Sequence, residues 1–145
     1  MHPQNIVDDF KNNGASFVLE KGELFLENQK NVIPETIEFV KHYKSRIITY
    51  LKGDYSKEIH SVKSTIDKIV SYMIGEENEA NSKISDWLIN DYDAVQQIIT
   101  LMQIFYDAGW NTNDPIANYE NSETDILSKK IFDRAMVHFG KVVKN

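Results

Sequence analysis

Hydrophobic positions along this chain follow the three-and-four spacing of helices almost throughout, and switch to short continuous runs in one place only. The six glycines, at positions 14, 22, 53, 75, 109 and 140, stand between these patterns, as expected where a backbone turns or a helix ends. Ile6, Val7 and Phe10 share one face of a short helix that should end near Gly14. Ser16-Phe17-Val18-Leu19 and Glu23-Leu24-Phe25-Leu26 are apolar runs separated by Glu20-Lys21-Gly22, which predicts a tight β-hairpin with Gly where φ must be positive. No other stretch gives a strand signal. Pro34 suits the first turn of a helix, with Glu35 and Glu38 near its positive end. Ile37, Val40, Tyr43, Ile47, Ile48 and Leu51 extend its apolar stripe toward Gly53, with a break expected near Ser45.

Beyond Gly53 the pattern is helical. Ile59, Val62, Ile66, Ile69 and Met73 form an a/d seam of about two heptads that closes at Gly75. Ile84, Trp87 and Leu88 mark a short helix before Asn90, and Asp93 is the expected cap of the next. That helix carries Val95, Ile98, Ile99, Leu101, Met102, Ile104 and Phe105, too many for one face, which predicts a place at the centre of a bundle. Residues 110–124 show little periodicity and read as a long functional or mobile loop. A last helix, from about Asp125 to Gly140, carries Ile126, Leu127, Ile131, Phe132, Ala135, Met136 and Phe139. The expected fold is α+β and mostly α. A small helix-hairpin-helix module over residues 1–53 precedes a bundle of about four helices over 54–145, as two domains or as one continuous domain.

Composition narrows what such a chain can do. With 145 residues it can bury about 68% of its unfolded surface, enough for a core of its own. Cys is absent, so disulfides, thiolate metal sites and cysteine nucleophiles are excluded. No apolar run approaches the length of a membrane span, and the first residues lack the basic and apolar regions of a signal peptide, so a cytoplasmic protein without a membrane partner is expected. The net charge of -6 is uneven. Residues 1–53 balance seven Lys/Arg against seven Asp/Glu, whereas residues 76–125 hold eleven acids and the single base Lys83. The acidic stretch should repel a phosphate backbone.

Reaction chemistry has few footholds. His2, His42, His60 and His138 lack metal-ligand spacing and read as scattered imidazoles. Asp91-Tyr92-Asp93 has a spacing some cation sites use, but capping and the helix dipole account for it at a helix start. There is no GxSxG elbow and no phosphate-cradling glycine loop. A non-enzyme with no cofactor and no metal is therefore expected. Phe17, Phe25, Trp87 and Trp110 read first as core aromatics.

Ile6 and Phe10, Gly14, Phe17 to Leu19, the Glu-Lys-Gly turn, Leu24 and Leu26, Ile33-Pro34-Glu35, and the run Tyr43 to Leu51 together resemble the TubC-type N-terminal docking domain of some nonribosomal peptide and polyketide synthase subunits. The resemblance covers about a third of the chain. It implies an αββαα module that dimerises and receives a short segment of a larger protein on its hairpin edge. Similar modules also occur in proteins of bacterial mobile elements, beside primase, polymerase or helicase genes. The first expectation is thus a non-catalytic accessory or adaptor subunit docking onto such a replication enzyme. Val18, Glu20, Lys21, Glu23, Phe25 and Glu27 are its expected partner-binding residues. The alternatives are an acidic inhibitor that mimics nucleic acid, of the phage anti-defence type, and a megasynthase docking protein. Nucleic-acid binding should be weak or indirect, through Lys30, Lys41, Lys44 and Arg46 with Lys52 nearby.

Overall fold

A computed structural model describes residues 2–144, with side chains through residue 140. In chain order the elements are α1 (Pro3–Asn12), β1 (Ser16–Glu20), β2 (Glu23–Glu27), a 3₁₀ turn (Gln29–Asn31), α2 (Pro34–Lys41), α3 (Lys44–Leu51), α4 (Lys57–Met73), α5 (Asn81–Ile89), α6 (Tyr92–Asp107), a second 3₁₀ turn (Ile116–Tyr119) and α7 (Ser122–Lys144). The fold is α+β and mostly α, with one two-stranded antiparallel sheet among the described residues. No helix among them is long and apolar enough to cross a membrane.

The chain divides into two compact units, one of Met1–His60 with Asn113–Asn118 and the other of Ser61–Thr112 with Tyr119–Asn145. The division falls after His60, inside α4, and not at Gly53, and the first unit takes back a segment from far along the sequence.

In the first unit Ile6, Val7 and Phe10 of α1 form a core with Ala15, Val40 and Ile47. Phe17, Leu24 and Leu26 of the hairpin pack on it, as do Tyr43, Tyr50 and Leu51. His2 caps α1, its Nδ1 accepting the Gln4 N–H at 3.1 Å. The break between α2 and α3 lies at His42 and Tyr43, just before the expected Ser45. Gly14 ends α1 at φ 82°. Its carbonyl accepts from Asn31 Nδ2 at 3.1 Å, which fastens the 3₁₀ turn after β2 to the end of α1.

In the second unit α6 buries Ala94, Ile98, Leu101 and Phe105, and α7 buries Thr124, Ser128, Ile131 and Ala135. Both sets follow i, i+4, i+7, i+11 spacing, one stripe per helix, with small residues that let the two helices approach. The expectation that α6 lies at a bundle centre is corrected. Tyr92, Ile99 and Tyr106, seven residues apart, form an exposed stripe. Ile126 and Met136 of α7 are exposed as well, off the buried stripe of that helix. Residues 110–124 are not a free loop: Trp110, Ile116 and Ala117 are buried. Asn121 and Thr124 then cap α7 reciprocally, Thr124 N–H donating to Asn121 Oδ1 at 3.0 Å and Asn121 N–H to Thr124 Oγ1 at 2.8 Å.

A Cβ at Gly14 would add left-handed strain and would meet Asn31 Nδ2 at 3.0 Å, whereas one at Gly53 (φ 81°) meets nothing within 4 Å. Gly14→Ala should therefore destabilise the protein by about 1–2 kcal/mol from the backbone alone, with a further loss from the displaced Asn31 bond. Gly53→Ala should show the backbone loss only. Paired urea melts of the two variants measure the difference.

Candidate functional site

The hairpin owes its shape to its turn. Lys21 (φ 51°) and Gly22 (φ 80°) both lie in the left-handed region, the type I′ arrangement that matches the twist of two adjoining strands. The register pairs Ser16 with Glu27, Phe17 with Leu26, Val18 with Phe25, Leu19 with Leu24, and Glu20 with Glu23. Directly paired residues share a face, so the hairpin has an inner face of Phe17, Leu19, Leu24 and Leu26 and an outer face of Ser16, Val18, Glu20, Glu23, Phe25 and Glu27. The inner face is anchored by the Phe10–Phe17 ring contact at 4.9 Å.

The outer face brings together five of the six residues expected to meet a partner. Phe25 is 47% exposed, a large cost for an aromatic left in water, and Val18 opposite it is half-buried. Glu20, Glu23 and Glu27 are exposed around this pair. Glu20 and Glu23 are direct cross-strand partners, a like-charge pairing that weakens a hairpin. The sixth residue, Lys21, is exposed at the turn.

Of the basic residues expected near nucleic acid, the four lysines are exposed and the arginine is not. Lys30 is exposed in the first 3₁₀ turn. Lys41 is exposed at the end of α2 and pairs with Glu38 at 2.8 Å, and that hydrogen bond holds the Glu38 carboxyl below its usual pKa. Lys44 is exposed at the start of α3, and Lys52 just beyond its end. Arg46, expected to reach nucleic acid, is corrected: it is only 2% exposed, with its guanidinium carbon 6.0 Å from the Tyr43 ring centre. Its neighbour Ile47 is fully buried, so this part of α3 turns both side chains inward and leaves Arg46 no reach to a phosphate.

Three clusters escape sequence reasoning because their members lie far apart in the chain. His2 and His60 are not scattered: their ring centres stand 4.5 Å apart, flanked by Tyr50 and Tyr55, and the Tyr55 hydroxyl is 3.1 Å from His60 Nδ1. No group of three or more His, Cys, Asp or Glu placed to hold a metal occurs among the described residues. In the second unit Asp91, and not Asp93, caps α6, accepting the Ala94 N–H at 3.1 Å. Asp91 also accepts from Trp87 Nε1 at 3.2 Å and from both Nε and Nη2 of Arg134, at 3.1 and 2.5 Å. Lys63 pairs with Glu120 at 2.7 Å and Asp125 at 3.2 Å. Opposite charges 43 residues apart leave no mark in local sequence.

Compared with protein-family models, curated proteins and solved structures, the chain matches none of them.

The hydrogen bond from Arg134 holds the Asp91 carboxyl below its ordinary pKa, aided by the Ala94 N–H and the Trp87 indole against the opposing effect of burial. A folded-state pKa below the unfolded one gives stability that is complete above the ordinary carboxylate value, near 4, and is lost as pH falls through the lowered folded value. Asp91→Asn keeps the cap and removes the charge. Its stability deficit should be constant from neutral pH to about pH 5 and should shrink below about pH 4. Asp91→Ala should lose about 1 kcal/mol more, for the missing cap. Thermal melts across this range provide the check.

Proposed function

We propose that this chain is a non-catalytic adaptor whose hairpin receives an extended segment of a larger protein. The observation that carries this reading is the outer hairpin face, with an unburied Phe25 beside Val18 and three carboxylates around them. Surface that favours burial and a like-charge pair that favours a cation are both relieved by one ligand, a segment with an apolar side chain flanked by Lys or Arg. The strand edges supply main-chain donors and acceptors for β-augmentation. The αββαα order of the first unit supports the resemblance to TubC-type docking modules. By analogy with similar modules of bacterial mobile elements, the proposed partner is a primase, polymerase or helicase.

An acidic nucleic-acid mimic is the weaker reading. Of the eleven acids between residues 76 and 125, Asp91, Asp93, Glu120 and Asp125 form ion pairs inside the second unit, which thins the charge available to a basic groove. The buried Arg46 likewise weakens direct binding of nucleic acid by the first unit.

Affinity capture from the bacterial host, with circular dichroism on the same proteins, tests the adaptor. Phe25→Glu should fold normally and lose capture of the large partner by at least about tenfold, the usual effect of removing an aromatic anchor. Leu24→Glu should unfold the first unit, because it places a charge against the core. If Phe25→Glu captures the partner as well as the unaltered protein, or if it alone melts, the outer face is not the docking face.

Glu20→Lys separates stability from binding. It converts the Glu20–Glu23 repulsion into attraction, so the hairpin should gain a few tenths of a kcal/mol. The same change places a cation where the partner's cation belongs, so capture should fall. A variant that melts higher and binds less is the expected pair of results.

A further inference from the structure

The second unit contains a cleft of about 420 Å³ walled by α4, α5 and α7. Its floor is apolar, made by Ile69, Ile84, Met136 and Phe139, with Trp87 fully buried beneath it. The size is within the roughly 300–1,000 Å³ of small-molecule sites, and an apolar floor with few polar groups at the rim is their usual make-up.

The rim has the opposite charge to its surroundings. The unit carries twelve Asp/Glu against eight Lys/Arg, and Lys83 is the only base between residues 76 and 125. Yet the lining includes Lys68, Lys83 and His138 against one carboxylate, Asp86. Neither lysine is in an ion pair among the described residues, although Lys63, Lys129 and Arg134 of the same unit each have a carboxylate partner. Two ammonium groups without a carboxylate partner, standing over an apolar floor, together match an anion whose remaining body is apolar.

We infer that this cleft binds a small amphipathic organic anion, its carboxylate or phosphate head at Lys68 and Lys83 and its apolar tail or ring on Ile84, Met136 and Phe139. The lysine stems are long enough to lie along the walls while their heads close over the anion. Trp87 reports occupancy, since it lies directly beneath the floor and a bound ligand changes the surroundings of its indole. The site uses no residue of the hairpin, so it stands or falls independently of the adaptor reading.

Calorimetry and Trp87 fluorescence on the full chain, with octanoate, octyl phosphate and octanol as probes, test the inference. Either anion or both should bind saturably and change the emission, and the stronger of the two identifies the head group. Octanol should bind at least about tenfold more weakly, as should octanoate or octyl phosphate to the Lys68→Glu, Lys83→Glu double variant, each being the loss of roughly one charged hydrogen-bond contact. Ala80→Trp, which fills the lining from the surface, should also abolish binding without disturbing the core. Absence of saturable binding of both anions up to about 1 mM, or equal binding of octanol, overturns the inference.

Discussion

An isolated two-stranded hairpin buries too little surface to persist in water, so the first unit depends on how one face of its hairpin is clamped. The clamp is Phe17, Leu24 and Leu26 set against α1 and α3, with Phe10 stacked on Phe17. Strand alternation then decides the rest. Once the odd-numbered Phe17 and its partner Leu26 point inward, Val18 and Phe25 must point outward, whatever that costs in solvation. The site is in this sense the reverse side of the core. It persists because the inner side is secure, and the sheet ends after two strands among the described residues.

The second unit solves a different problem, which is to hold its helices in register with few large core residues on the last of them. Small side chains at Ala94, Ser128 and Ala135 allow close approach but contribute little apolar area. Asp91 supplies direction instead. One carboxylate ends α5 through the Trp87 indole, begins α6 through its cap, and meets α7 through Arg134. A hydrogen-bonded node of this kind specifies which helix faces which, where hydrophobic contact alone would tolerate sliding.

The hairpin, its turn and the heptad-like seam of α4 were legible in the sequence because each rests on neighbours within a turn or two. The faces of β1 and β2 were legible for the same reason: alternation needs only the strand itself. Arg46 was misread because composition places arginine at the surface, and its burial depends on the rotation of α3 that also sinks Ile47. On α6, counting apolar residues suggested burial on all sides, yet Tyr92, Ile99 and Tyr106 line an exposed face. Asp93 and Asp91 are equally good caps by composition, and the choice was made by Arg134, far away in sequence. The His2–His60 contact and the lysine-rimmed cleft are wholly tertiary, assembled from segments whose local patterns carry no hint of one another.

Residues Asn113–Asn118 belong to the first unit although both their flanks belong to the second. Ile116 and Ala117 are buried there, and Asn118 borders a small cleft with Lys44, Ser45, Ile48 and Thr49 of α3. A unit built from one stretch of sequence would be a contiguous cassette, transferable between proteins by a single cut. This one is interrupted. A break after His60, whether by a protease, a gene fusion or recombination, separates the hairpin unit from a piece of its own interior. Residues 1–60 made alone therefore lack Ile116 and Ala117, two of the buried side chains of their own unit, and the first unit is complete only when the rest of the chain is present.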